Sequence, residues 1–316
     1  MDKKILVILL TTIITISACP QSSVDFNPNA GIVLQDVSFD IPKVYDDGDD
    51  KTSLMFDVVN VGGKKIASDD TINVYVYGPT IAKSGTDVWI SEDAGDGGYI
   101  TEAVEGNELP PPDPSMGIPG GRIPQEFEFK PAKVLSGMEI PTKFYVSVCY
   151  PYTTQTLTQV EVTSKNELRA TGITGSRKDT VNAGGPIHIT LQGKASIRSG
   201  SNSIPLVFKV DNVGGGYPAE KPCEVDLSKS DRDKVTISVS VDGNTKDVKC
   251  GSDAKTNSDT VNLRKGSSAI FCTYDVETAS STTAAPRRTY MVRAIAEYQY
   301  YVTSTVSITT VGTSDV

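Results

Sequence analysis

The eight residues Phe56–Gly63, FDVVNVGG, return almost unchanged as Phe208–Gly215, FKVDNVGG. A second echo follows each copy at nearly the same spacing: YPY at Tyr150–Tyr152 and YQY at Tyr298–Tyr300, each heading a strand-like tail, TTQTLTQVEV and YVTSTVSITT. Two echoes in the same order predict two tandem copies of one domain. The copies span residues 30–165 and 166–312, with the boundary in polar TSKNEL near Thr163–Leu168. A chain of 316 residues is long enough for two hydrophobic cores.

The repeated motif has a physical reading. Phe56 with Val58, and Phe208 with Val210, alternate toward a core, while Asn60 or Asn212 bonds back to the backbone or tolerates a left-handed conformation. The glycines are expected to supply positive φ, so the strand ends and the chain turns toward a second sheet. The rest of the chain alternates in the same way. TINVYVYG places Ile72, Val74 and Val76 on one face, KFYVSVCY places Phe144, Val146 and Val148, and KVTISVSVDG places Val235, Ile237, Val239 and Val241. No segment after the N-terminus carries a convincing 3.6-residue period. Strands with one apolar face pack as paired sheets, so the expected fold class is all-β, two tandem β-sandwich domains.

GIVLQDVSFDIPKVYDDGDDKTSLMFDVVNVGGKKIA, and more weakly IPLVFKVDNVGGG, resemble the immunoglobulin-like domains of prokaryotic surface proteins, the CARDB type (cell-adhesion-related domain found in bacteria). The Tyr-x-Tyr strand is similar to that of archaeal surface proteins of this general kind. The resemblance covers about 35 residues of each copy, in the second mainly at IPLVFKVDNVGGG, and weakly the rest. It implies immunoglobulin-like, exported, adhesive or structural modules and no catalysis; fold analogy alone does not set a function.

The N-terminus reads as an export signal over residues 1–18: two lysines, an apolar run from Ile5 to Ile16, then small residues. The run is shorter than the ~20 residues a resident membrane helix needs. Ile16-Ser17-Ala18-Cys19 resembles a lipoprotein lipobox, which implies cleavage before Cys19, lipidation of its thiol, and a polar tether over 19–29. The competing reading is cleavage near Ala18 and a released protein. Either way the expected location is extracellular, at the cell surface or beyond it.

Four cysteines remain after Cys19, an even number that suggests disulfides in an exported chain. Cys250 and Cys272 lie in one copy and form the favoured pair; Cys149 and Cys223 are left free or clamping the two copies together. The first copy also carries an insertion, Gly78–Gln125, rich in Gly, Pro and acid and holding the single tryptophan. It reads as a long surface loop with short strands of its own, and loops of this length are often functional. Trp89 and Tyr99 are its candidate binding contacts, since exposed aromatics anchor interfaces, although Trp89 is equally readable as a core residue.

Charge and histidine content narrow the function. The net charge of −9 offers no basic stripe for nucleic acid. His188 is the only histidine, so multi-histidine metal sites are excluded and any Ser-His-Asp triad would have to use it. It alternates with Ile187, Ile189 and Leu191, which reads as the outward face of a strand. No catalytic motif occurs, no catalytic or metal-ligating residue is assigned, and no cofactor is expected. The aspartates of YDDGDDK (Tyr45–Lys51) offer calcium a weak opportunity at most, because their spacing is not that of a calcium loop. The expected function is therefore a non-catalytic adhesion or binding protein, anchored to the membrane through Cys19, with a protein or polysaccharide ligand. The alternative is a filament or coat subunit that binds copies of itself, with Ser22–Ile41 donated as a strand to a neighbour.

Overall fold

The computed structural model describes residues 26–47, 50–104, 106, 108–163, 165–172, 175–192, 197–198, 203–225, 227–251, 255–275 and 287–313. The first copy forms β1 (Ile32–Phe39), β2 (Lys43–Tyr45), β3 (Thr52–Asn60), β4 (Ile72–Tyr77), β5 (Ile81–Ala82), β6 (Trp89–Ile90), β7 (Ile100–Val104), β8 (Arg122–Phe129) and β9 (Glu139–Thr163). A short helix, α1 (Lys165–Thr171), stands at the boundary. The second copy forms β10 (Val181–Asn182), β11 (Ile187–Leu191), β12 (Ile197–Arg198), β13 (Ser203–Asn212), β14 (Tyr217–Ala219), β15 (Lys234–Val241), β16 (Val248–Cys250), β17 (Ser258–Asn262), β18 (Ser267–Asp275) and β19 (Arg287–Val311). The fold is all-β, as the period-2 pattern requires.

The repeat becomes a pseudo-twofold. The central sheet runs β17-β15-β19-β9-β4-β7, an order in which β19 and β9 sit in the middle and each copy contributes the matching outer strands. β9 and β19 have 25 residues each and pair antiparallel along their whole length. Their midpoints, Pro151 and Gln299, face each other. The two Tyr-x-Tyr echoes therefore meet on the axis, with Tyr150 opposite Tyr300 and Tyr152 opposite Tyr298. The four buried rings form a cluster with neighbouring centroids 6.0–6.1 Å apart. Pro151 falls between the pairing of β9 with β4, which ends at Cys149, and that with β10, which begins at Thr156. A strand carries a proline where one flank has no ladder partner.

Each long strand serves both copies. The N-terminal half of β9 pairs with β4, and its C-terminal half crosses to pair with β10 and β12 of the second copy. Reciprocally, β19 pairs with β15 through its N-terminal half, and its last residues, Thr309–Val311, pair with β2 of the first copy. Two smaller sheets, β1-β3-β8 and β11-β13-β18-β16, cover the same face of the central sheet. Phe39, Phe129 and Phe144 pack together on one side, and Tyr274 packs on Tyr290 on the other. Val160, from β9, lines the same interior as Ile204, Leu206 and Tyr290 of the second copy. One continuous core results. The copies expected over 30–165 and 166–312 map onto the two halves, and each half also takes up the end of the other's last strand. The physical reason is strand length, because 25 residues span two sandwiches where ordinary strands of about 5–6 residues span one.

The NVGG motif also differs from its reading in one respect. Its glycines do not take positive φ. They permit close approach: a Cβ at Gly62 would lie 2.4 Å from the Ala30 carbonyl oxygen, and one at Gly214 would lie 2.2 Å from the Tyr300 hydroxyl. The asparagines do bond back. Asn60 Nδ2 donates to the carbonyls of Lys64 and Leu109 at 2.8 and 2.9 Å, and its Oδ1 accepts the Gly62 N–H at 3.0 Å. Asn212 repeats the pattern with Gly216 and Gly214, and its Oδ1 also accepts the Tyr300 hydroxyl at 2.9 Å. Asn60 is buried and Asn212 half-buried. Asn60→Ala is expected to cost about 2–3 kcal/mol and Asn212→Ala about 1–2 kcal/mol, measured by denaturant unfolding.

The 78–125 segment has short strands of its own, β5, β6 and β7, and its last residues open β8; β7 pairs with β4 and β8 with β3, so the segment also builds part of the first sandwich. The Ser22–Ile41 segment is likewise committed where it is described: β1 pairs with β3 of its own chain.

Candidate functional site

Along β9 and β19 the even-numbered residues face the core, so Tyr145, Ser147, Cys149, Tyr301 and Thr303 face outward. Among the described residues no second sheet covers this outer face near the axis. The segment from β14 to β15 covers part of it instead, packing Ala219, Cys223, Val225 and Leu227 against Tyr75, Cys149 and Tyr301. A disulfide between Cys149 and Cys223 staples that segment to β9. Beside the staple lies a groove of about 240 Å³.

Both copies build the groove. Tyr75 and Tyr77 come from β4, Ser147 from β9, Thr303 from β19, Tyr217 from β14, and Arg232 from the stapled segment's far end. Two stacked tyrosine pairs stand on the sheet here. Tyr77 lies on Tyr145 with centroids 5.4 Å apart, and Tyr217 lies on Tyr301 at 4.8 Å. A cation caps each pair: Lys143 Nζ is 5.3 Å from the Tyr145 ring centre and the Arg232 guanidinium 4.9 Å from that of Tyr217. Ser147 Oγ and Thr303 Oγ1 hydrogen-bond each other at 3.0 Å. Tyr301 is tied at its hydroxyl, which accepts the Glu224 N–H at 2.8 Å. Burial raises the pKa of Tyr75 and Tyr301 and pushes Tyr217 up to about 12, so these phenols stay protonated at neutral pH.

The residues singled out in the sequence fall elsewhere. Trp89 is 3% exposed and packs edge-on against Phe144 at 5.0 Å, under the loop rather than on it. It is a core residue and not a surface contact, because the Gly- and Pro-rich segment around it folds over the end of the sandwich. Tyr99 is half-buried and folded over Gly97, where a Cβ would lie 2.2 Å from its ring. Neither side chain lines the groove. Cys250 is bonded to Cys272, its cross-strand neighbour between β16 and β18. Cys19 and residues 1–18 lie outside the described residues. His188 is half-buried on β11, with Ile187, Ile189 and Leu191 buried on the opposite face, and its Nε2 is buried without a hydrogen-bond partner.

The acidic turn works as a clasp. Asp46, 2% exposed, accepts the Thr313 N–H and hydroxyl at 2.7 Å and the Val134 N–H at 2.8 Å. The backbone bonds from Thr313 and Val134 lower its pKa to about 2. Its folded pKa lies below its unfolded value, so this stabilisation is complete above about pH 5 and is lost as the pH falls toward 2. Asp46→Asn is expected to lower stability at pH 7 and to flatten its dependence between pH 5 and 2, read from urea midpoints across that range. Among the described residues no group of three or more His, Cys, Asp or Glu is placed to hold a metal ion. Among them, too, no helix is long and apolar enough to cross a membrane.

Sequence reasoning missed the groove, although a signal was present. In INVYVY and KFYVSVCY the faces opposite the valines carry Tyr75, Tyr77 and Tyr145 where a solvated strand would carry charges. No family model matches this chain, and no curated protein sequence matches it. The fold and the groove together define a disulfide-braced, all-β sandwich protein with a tyrosine-walled recess at its pseudo-twofold junction.

Proposed function

We propose that the protein is an exported, non-catalytic binding protein of the cell surface, tethered through Cys19, which presents the tyrosine groove to an extracellular ligand. The groove carries this reading: it is a concave, aromatic and hydroxyl-bearing recess on the outer sheet face, beside the stapled segment. Two disulfides fit an oxidising compartment, and the resemblance to immunoglobulin-like surface modules fits adhesion. The test is the intact mass of native protein recovered separately from membrane and medium without reductant. A chain beginning at Cys19 with a diacylglyceryl adduct and two disulfides supports the reading. A full-length chain with free thiols, confined to the cytoplasm, would overturn it. An unmodified start beyond Ala18 in the medium removes the tether, and assembly with rising concentration would favour the coat or filament.

A further inference from the structure

We propose that the groove is a saccharide subsite that takes one neutral pyranose unit of a surface polysaccharide; this rests on the groove being the ligand site. Size is the first argument. At about 240 Å³ it falls below the ~300–1,000 Å³ of sites for drug-sized ligands, so it admits one substituted ring rather than a run of side chains.

Unused polar groups are the second. Tyr75 is 3% exposed and lines the groove, and its hydroxyl makes no hydrogen bond to another described residue. Arg232 commits only its Nε, to the Leu227 carbonyl at 3.3 Å, and its terminal nitrogens have neither a hydrogen-bond nor an ion-pair partner among those residues. Ser147 and Thr303 each use one of their hydroxyl valences on the other. A ligand that leaves these groups unmatched loses affinity, whereas a polyol ring offers a donor and an acceptor at every carbon. Tyrosine rings beside them suit the C–H faces of a sugar.

Charge is the third. Glu224 lies near Tyr75 and Asp233 near Tyr217, opposed by Arg232 over Tyr217 and, at the other stack, by Lys143 over Tyr145, and the chain as a whole carries −9. An anionic sugar meets repulsion at long range, and a cation meets Arg232 at contact. A neutral ring meets neither.

The experiment is saturation-transfer NMR on the oxidised chain with the methyl glycosides of glucose, galactose, mannose and N-acetylglucosamine, and with glucuronate, followed by titration of any binder. At least one neutral glycoside should bind. Tyr75→Phe, which deletes one hydroxyl, should weaken it about three- to tenfold, and Arg232→Gln by a similar factor, with melting temperatures unchanged. Absence of binding by every neutral glycoside would overturn the proposal. So would a preference for glucuronate that fades with salt, or binding indifferent to both substitutions. None of these results alters the mass of the exported form, so the subsite can fail while the surface reading stands.

Discussion

A chain ending at Val302 is expected to lose cooperative structure in its first half, although no deleted residue belongs to the first copy. The deletion removes Ile308, which is 1% exposed, and Val306, which packs against the same core. It removes the ladder partner of β2 and the strand beside the N-terminal half of β9. It also leaves the Asp46 carboxylate without the Thr313 bonds that hold it. Burial of one isoleucine contributes about 1.5–3 kcal/mol, and hydrogen bonds to a charged group about 1.5–3 kcal/mol. With the ladder, the loss approaches the roughly 5–15 kcal/mol by which domains are stable at all. Hydrogen exchange should show β2 and residues 139–149 unprotected, and the bared edge of β9 should make the chain self-associate. Two bead-like domains would instead keep full protection in residues 32–129 after the same cut. Ile308→Ala is the milder form, expected to cost about 2–4 kcal/mol.

Local chemistry was legible in the sequence and long-range geometry was not. Alternation identified the inward faces of β4, β9 and β15 residue by residue, and the inward parity of β19 continues through Tyr298 and Tyr300 without a slip. The two Tyr-x-Tyr echoes were visible as a repeat. That they face each other was not, because pairing between residues about 150 apart leaves no trace in either strand taken alone. The same blindness hid the exchange of strand ends, since an apolar-polar alternation fits whichever sandwich it enters. Of the two readings left open for Trp89, contact or core, the structure takes the core, with its ring packed on Phe129 and Phe144 although glycine and acid flank it in the chain. The groove was hidden because its tyrosines come from three strands, β4, β14 and β19, and meet only through the sheet order.

Removing the Cys149–Cys223 disulfide should damage the groove as well as the fold, whereas removing Cys250–Cys272 should touch the fold alone. The first closes a sequence separation of 74 residues and the second one of 22. Loop-closure entropy assigns them about 4 and about 3 kcal/mol, so either loss is expected to lower the melting temperature by roughly 6–16 °C in a body of this size. Stability therefore separates the two bridges poorly. Position separates them well. Cys250–Cys272 ties β16 to β18 in the sheet that faces away from the groove. Cys149–Cys223 holds the segment that carries Val225 and ends at Arg232, a wall of the groove with no ladder of its own among the described residues from 223 to 231. In Cys149→Ala/Cys223→Ala that wall loses its one covalent tie and keeps the Tyr301 bonds to Glu224, the Arg232 bond to Leu227, the Lys221–Asp231 pair and the packing of Val225 and Leu227. Held well below its melting temperature, this double variant should bind a groove ligand at least tenfold more weakly, because the ordering of the wall then falls on binding. The Cys250→Ala/Cys272→Ala chain should bind as the parent does. Equal affinities in both variants would mean that the tyrosine stacks hold the wall by themselves, and that the bridge between the copies serves only to keep the two halves of the central sheet in register.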